Sequence, residues 1–141
     1  MSANGEAARV PIRISMDDPE PMYRQIEAQL KDFILSGQLP AGTRLPSVRG
    51  LAKELACSVI TTRRAYQDLE NEGFLRTRQG MGTVVAEIGE EAMKLHRREP
   101  VVIALREAAE AGRRAGYSGT ELQRMFERVL EERSAGVRAA E

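Results

Sequence analysis

Two short stretches with helical spacing of apolar residues lie close together in the middle of the chain and predict a helix-turn-helix. Ser47 and Ser58 each stand where a helix would begin, and serine is a favourable N-cap because its hydroxyl accepts an otherwise unpaired backbone N–H. Each predicted helix has one apolar face, made by Val48, Leu51, Ala52 and Leu55 in the first and by Ala65, Tyr66 and Leu69 in the second. Gly73 then supplies the left-handed residue that ends the second helix.

A predicted β-hairpin follows these two helices directly. Residues 74–78 and 83–85 are rich in residues that favour strands, and the intervening Gln79, Gly80, Met81 and Gly82 contain the glycines that a tight turn needs at positive φ. Two helices and a glycine-tipped hairpin in this order predict a winged helix-turn-helix, in which the second helix enters the major groove of DNA.

The segment before these elements is predicted to complete the core of the same domain. A helix over residues 21–36 places Tyr23, Ile26, Leu30, Phe33 and Ile34 on one face and ends at Gly37. Residues 10–15 could add a short strand before it. The first nine residues are mostly small and polar, which predicts a disordered tail, with its boundary placed at residue 10.

The segment beyond residue 86 is rich in alanine, glutamate and arginine and is predicted to be helical. Pro100 is expected to interrupt it, which gives one helix over residues 90–98 and another that begins near Pro100 and ends at Gly116. The run Ser118-Gly119-Thr120-Glu121 is a capping box and predicts the start of a last helix, which is expected to fray from Ser134 onward.

The C-terminal helices have apolar faces that about fifty residues cannot bury by themselves, which favours a partner subunit. The residues predicted to make this dimer contact are Leu105, Leu122, Met125, Phe126, Val129 and Leu130. The alternative is that the last helix folds back on its own winged domain and the protein is a monomer. A dimer would place two recognition helices about 34 Å apart, one turn of DNA.

Charge is zero overall, with 21 basic and 21 acidic side chains, but its distribution is uneven. Residues 39–83 have seven basic and four acidic side chains, so the excess of three positive charges falls on the predicted helix-turn-helix and wing. One cysteine and one histidine exclude an intrachain disulfide and disfavour a zinc site. No catalytic grouping is present in the sequence, which argues against an enzyme.

The start of the second helix carries the chemistry that DNA recognition requires. Ser58, Thr61, Arg63 and Arg64 lie within its first two turns. Hydroxyl groups reach phosphates or bases, arginine can bind guanine through two hydrogen bonds, and a helix N-terminus attracts phosphate.

Four runs of consecutive residues resemble the DNA-binding domain of the GntR family of transcriptional regulators, and specifically its YtrA-type branch. They are PMYRQI at residues 21–26, LPAGTRLPSVR at 39–49, AYQDLENEGFL at 65–75 and RQGMGTVV at 78–85. The resemblance implies a mainly α fold with a small β wing, namely a winged helix-turn-helix followed by a short α-helical dimerisation region. Three positions depart from the family pattern: Gly50, Val59 and Thr62.

The resemblance also implies which residues contact DNA. Operator contacts fall on Arg49, Ser58, Thr61, Arg63, Arg64, Gln79 and Gly80. Apart from the resemblance, secondary phosphate contacts are expected at Arg44, Lys53, Arg76 and Arg78, the alternative being that these side chains only solubilise the surface, and Ser47 is also expected to contact DNA. The implied function is a homodimeric repressor that binds a palindromic operator in double-stranded DNA. The alternative is a winged protein-interaction module that does not bind DNA specifically.

The sequence therefore predicts a winged helix-turn-helix domain over residues 11–86, a helical dimerisation region over 87–134 and a frayed tail over 135–141. No cofactor or metal is expected, and a small-molecule effector is possible but has no support in the sequence. The absence of a long apolar run or a signal segment predicts a cytoplasmic protein without a membrane partner.

Overall fold

The computed structural model describes residues 7–140, and the side chains among them through residue 136. Its elements are α1 (Met22–Leu35), α2 (Val48–Leu55), α3 (Val59–Asn71), β1 (Leu75–Arg78), β2 (Gly82–Val85), α4 (Glu90–Arg114) and α5 (Gly119–Ala140). The described residues fall into two compact units, which divide between Lys94 and Leu95. The predicted fold class, mainly α with a small β wing, is confirmed.

The first unit is built around α3, against which both α1 and α2 pack. Ile26, Leu30 and Ile34 of α1 are buried, as the predicted apolar face requires, while Tyr23 and Phe33 lie at its edge and are partly buried. The side chains that the core buries most completely include Ile26, Leu30, Leu51, Leu69, Phe74, Leu75, Val84 and Val85. This core therefore fixes the three helices and the hairpin as one structural unit.

Both predicted serine caps are confirmed. The Ser47 hydroxyl accepts the N–H of Gly50 at 3.0 Å, and the Ser58 hydroxyl accepts the N–H of Thr61 at 3.0 Å. Between the two helices Ala56 takes the left-handed conformation with φ 54°, so the chain turns sharply without a glycine. The caps and this turn define the angle between α2 and α3.

A buried tyrosine joins α3 to the start of α2. The Tyr66 hydroxyl donates a 2.7 Å hydrogen bond to the Pro46 carbonyl. Burial, with a smaller contribution from the charge of Glu54, raises the pKa of Tyr66, so its hydroxyl stays protonated and continues to donate. The hydrogen bond satisfies a buried carbonyl and links the two helices of the helix-turn-helix.

The predicted hairpin is present, and a third backbone segment lies beside it. Leu75 pairs with Val85 and Arg78 with Gly82, and Gly80 and Gly82 have φ of 82° and 74°, as the turn was predicted to need. Residues 42–45 lie antiparallel to β2, where the N–H of Gly42 donates to Val85 O at 2.8 Å and that of Leu45 to Thr83 O at 2.9 Å. The segment before α2 is thereby attached to the wing, residues 74–85.

The short strand predicted for residues 10–15 does not form. Two glutamine side chains of α1 instead form hydrogen bonds with the backbone of this segment. Gln29 accepts the N–H of Arg13 at 2.9 Å and donates to its carbonyl at 2.8 Å, and Gln25 does the same for Ser15 at 2.8 and 3.0 Å. Each amide satisfies both backbone groups that a neighbouring strand would otherwise pair.

The tail predicted to be disordered over residues 1–10 lies partly outside the described residues. Within them, the N–H of Ala8 donates to Arg44 O at 2.7 Å, and Val10 is buried. The ordered chain therefore begins before residue 11. Burial of Val10 in the core is a tertiary contact that the polar composition of this segment did not reveal.

The second unit differs from its prediction in two places. α4 runs through Pro100 without a break. Proline removes one N–H donor, while the glutamate, arginine and alanine residues that make up most of this helix favour helical structure. α5 continues to residue 140 instead of fraying from Ser134, for the same reason of composition. The predicted helix end at Gly116 (φ 86°) and the Ser118 cap, which accepts the N–H of Glu121 at 3.2 Å, are confirmed.

Candidate nucleic-acid interface

The first turn of α3 projects from the core. Ser58 and Ile60 are exposed and Thr61 is partly exposed, while Thr62 on the inner side is fully buried. The hydroxyl groups of Ser58 and Thr61 lie 2.8 Å apart. This end of the helix therefore presents two hydroxyl groups and the positive end of the helix dipole to solvent.

Two of the predicted arginines are available to an anion. Arg49 on α2 and Arg63 on α3 are both exposed. In the described part of the chain neither forms an ion pair with a carboxylate. Their charge is therefore not neutralised within the molecule and can attract phosphate or a guanine edge.

Arg64 is placed differently from Arg63. Its guanidinium lies over the ring of Tyr23, 3.8 Å from the ring centre, and 3.9 Å from the Asp68 carboxylate. The side chain therefore interacts with α1 and with its own helix, and contact with DNA would compete with these interactions. Arg44 is partly buried and pairs with Val84 across the bridge that joins residues 42–45 to β2.

The wing presents a basic edge beside α3. Arg76 and Arg78 alternate with Thr77 along β1, so they lie on the same face of the strand, and Gln79 and Gly80 form its exposed tip. The N–H of Thr77 donates to Glu70 Oε1 of α3 at 3.3 Å. This hydrogen bond connects the wing directly to the predicted recognition helix.

Three acidic side chains lie close together where α1 and α3 pack, namely those of Glu27, Asp68 and Glu72. Burial raises the pKa of Glu27 to about 7, with further contributions from its hydrogen bond to Asp68 and from the charges of Asp68 and Glu72. Lys31, whose ammonium lies 2.7 Å from the Glu72 carboxylate, acts in the opposite direction on Glu27. A protonated Glu27 can share its proton with Asp68, and this contact supports α3 from behind.

The C-terminal helices carry an unburied apolar surface within their own unit. Met125, Phe126, Val129 and Leu130 of α5, called here the apolar stripe, are 43–57% exposed, and Leu105 of α4 is 45% exposed. Leu122 differs because it packs against Gly112, where a Cβ would overlap its side chain. Leu122 thus closes the turn between α4 and α5, and the stripe remains for another surface.

Some residues of the candidate interface were not predicted from the sequence. Ile60 is 77% exposed and lies on the outer face of α3, opposite the buried Thr62. The sequence did contain an indication of this, because Ile60 is an apolar residue that lies off the apolar face of the predicted recognition helix. The contact of Arg64 with Tyr23 joins residues 41 positions apart, and the contact of Thr77 with Glu70 depends on how the wing packs beside α3, so neither gave a local signal.

No helix among the described residues is long and apolar enough to cross a membrane, and no group of their side chains could hold a metal ion. Exposed hydroxyl and arginine side chains on a helix-turn-helix, with a basic hairpin hydrogen-bonded beside them, define a winged helix-turn-helix protein of the DNA-binding class.

The comparisons with known proteins give the family. Residues 22–85 match the model of the bacterial regulatory proteins of the gntR family. The chain is 32% identical, over 85% of its length and 90% of the relative's, to the HTH-type transcriptional repressor YtrA of Bacillus subtilis. The chain belongs to the GntR family, and it is a transcriptional regulator rather than an enzyme.

Solved structures agree with this assignment. YtrA from Sulfolobus acidocaldarius, a GntR-family transcription factor, is 34% identical with a TM-score of 0.55, and the match covers 70% of this chain and 97% of that one. A GntR family transcriptional regulator from Listeria monocytogenes is 25% identical with a TM-score of 0.71, covering 80% of this chain and 98% of that one. The resemblance to the YtrA-type branch is thereby confirmed.

Proposed function

We propose that this protein is a homodimeric, sequence-specific repressor that occupies a palindromic operator. The observation that carries the proposal is the helix-turn-helix itself, on which Arg49 and Arg63 are exposed and form no ion pair with any carboxylate of the described residues. Unneutralised arginines at such a position favour phosphate and guanine as partners.

The proposed contacts divide by element. Thr61, Arg63 and Arg49 face the major groove, and Ser47 and Ser58, whose hydroxyl groups accept backbone N–H groups, can still donate their own proton to a phosphate. The wing tip at Gln79 and Gly80 enters the minor groove. The basic side chains proposed for backbone phosphates are Arg44, Arg64 and Arg78.

The proposed dimer follows from the apolar stripe and Leu105. An exposed apolar surface of this kind is stabilised when it packs against another apolar surface and is removed from water. A second copy of the chain offers an identical surface for this contact. A two-fold dimer would present two recognition helices to a two-fold symmetric site. Repression is proposed because the Bacillus subtilis relative is a transcriptional repressor.

DNA binding is tested by selecting duplexes from a random pool with the purified full-length chain. The anisotropy of a labelled selected duplex is then measured against an unrelated one at several salt concentrations. We expect a preference of about a thousandfold or more at moderate salt. We expect Arg49→Ala combined with Arg63→Ala to weaken specific binding at least about a hundredfold, because each arginine acts in both half-sites.

A matched control removes two arginines elsewhere. Arg106→Ala with Arg124→Ala changes the net charge equally on exposed positions of α4 and α5, and it should leave the preference nearly intact. Equal and salt-sensitive binding to every duplex, or no effect of the first pair of substitutions, would refute the proposal. That outcome would favour a winged protein-interaction module.

A further inference from the structure

Ile60 stands out among the apolar side chains of the first unit. Its exposed fraction is 77%, and apart from Met16 the other large apolar side chains described in residues 7–94 are buried or partly buried. Ile60 is the second residue of α3, between the capping Ser58 and Thr61. An apolar side chain is therefore fully presented at the end of the helix that faces a DNA base edge in this class of protein.

The isoleucine does not stabilise the free protein. It makes no contribution to the core, and a β-branched residue favours a helix less than alanine or a straight-chain residue does. Its neighbours along α3 at i+3 and i+4, Arg63 and Arg64, are charged and offer it no apolar surface. A polar residue would serve equally well at position 60 in the absence of a partner, so the side chain has value only in a complex.

The major groove offers one apolar group to such a side chain, namely the C5-methyl group of thymine. We propose that Ile60 packs against a thymine methyl in each half-site and makes that thymine a specificity position. This inference rests on the proposed DNA-binding function and names the base that the site selects. Arg63, one turn further along the same face, would then contact the neighbouring base pair or phosphate.

The methyl group can be removed from DNA without changing its hydrogen-bonding groups. Each thymine of a selected duplex is replaced in turn by deoxyuridine, which keeps the O4 acceptor and pairs with adenine. We expect one thymine in each half-site to be sensitive. Loss of one buried methyl should weaken binding about fourfold, and loss of both symmetry-related methyl groups about fifteenfold.

The same scan is repeated with Ile60→Ala, which removes the proposed partner of the methyl group. We expect this variant to bind the thymine and deoxyuridine duplexes equally well, because the two changes remove one contact. Val59→Ala is the matched control, since Val59 is the adjacent, partly buried apolar residue, and it should retain the full sensitivity to deoxyuridine. Thermal unfolding checks that both variants fold as the parent does.

The outcomes separate this inference from the proposed function. Specific binding that is insensitive to deoxyuridine at every position, or a sensitivity that persists in Ile60→Ala, would overturn the role of Ile60 and leave the DNA-binding function intact. Failure of the chain to enrich any duplex would overturn both.

Discussion

Removing one side chain of the apolar stripe tests whether a second copy of the chain covers it. Phe126 lies on the stripe and is 49% exposed. Complete burial of a phenylalanine stabilises by about 1.5–3 kcal/mol, so covering the exposed half contributes about 1 kcal/mol. A two-fold interface uses the residue twice, and Phe126→Ala should therefore weaken the dimer by about 2 kcal/mol, or about thirtyfold in its dissociation constant.

Sedimentation equilibrium of the full-length chain over a dilution series measures this constant. Arg124→Ala is the matched control. Each residue of an α-helix turns by about 100°, so Arg124, two residues before Phe126, lies on nearly the opposite side of α5, about 160° away. The control should leave the dissociation constant unchanged. Circular dichroism checks that the helical content of both variants equals that of the parent.

Two results would refute the reasoning. A parent chain that remains monomeric at tens of micromolar would show that no second copy covers the stripe, which favours the alternative in which the last helix folds back. A dimer that Phe126→Ala leaves unchanged would place the interface elsewhere on the chain.

Two further substitutions test the packing of α3. Glu27→Gln should abolish part of the pH dependence of stability. In the folded protein the pKa of Glu27 is about 7, above its ordinary value of 4.5, so the folded state binds the proton more tightly than the unfolded state. The resulting stabilisation is fully present below pH 4.5 and is lost as the pH rises through 7. The parent should therefore lose about 1 kcal/mol relative to the variant between pH 5.5 and 8.5, a value reduced for partial exposure. Tyr66→Phe should lower the free energy of unfolding by about 1–2 kcal/mol, because it leaves the buried Pro46 carbonyl without its donor. Urea denaturation measures both.

The exposed Asp32 of α1 provides the control for the pH experiment, since Asp32→Asn removes an acid that lies five residues along the same helix and about 140° around it from Glu27. Parallel pH profiles of the unfolding free energy for the parent and Glu27→Gln would contradict a raised pKa of Glu27 in the folded protein. An unchanged unfolding free energy in Tyr66→Phe would mean that the hydroxyl contributes nothing to the junction of α2 and α3.

The elements of the fold were largely predictable because their signals are local. A helix start depends on a cap such as Ser47 or Ser58, a helix end on a glycine such as Gly116, and the buried face on a period of 3.6 residues. The prediction failed at Pro100, where one unfavourable residue was outweighed by the helix-forming composition of α4 as a whole. The DNA contacts predicted for the candidate site remain predictions, although the structure exposes Arg49 and Arg63 as they require.

The sequence by itself determined the order of the helices and hairpin, their caps and turns, and the family, since each depends on residues that are close together in the chain. Only the tertiary structure decided that Gln25 and Gln29 pair with the N-terminal segment and that Arg64 lies on Tyr23. It also decided that Glu27 meets Asp68. These contacts join residues at least ten positions apart, and the packing of α1 against α3 brings several of them together, so no local pattern could encode them.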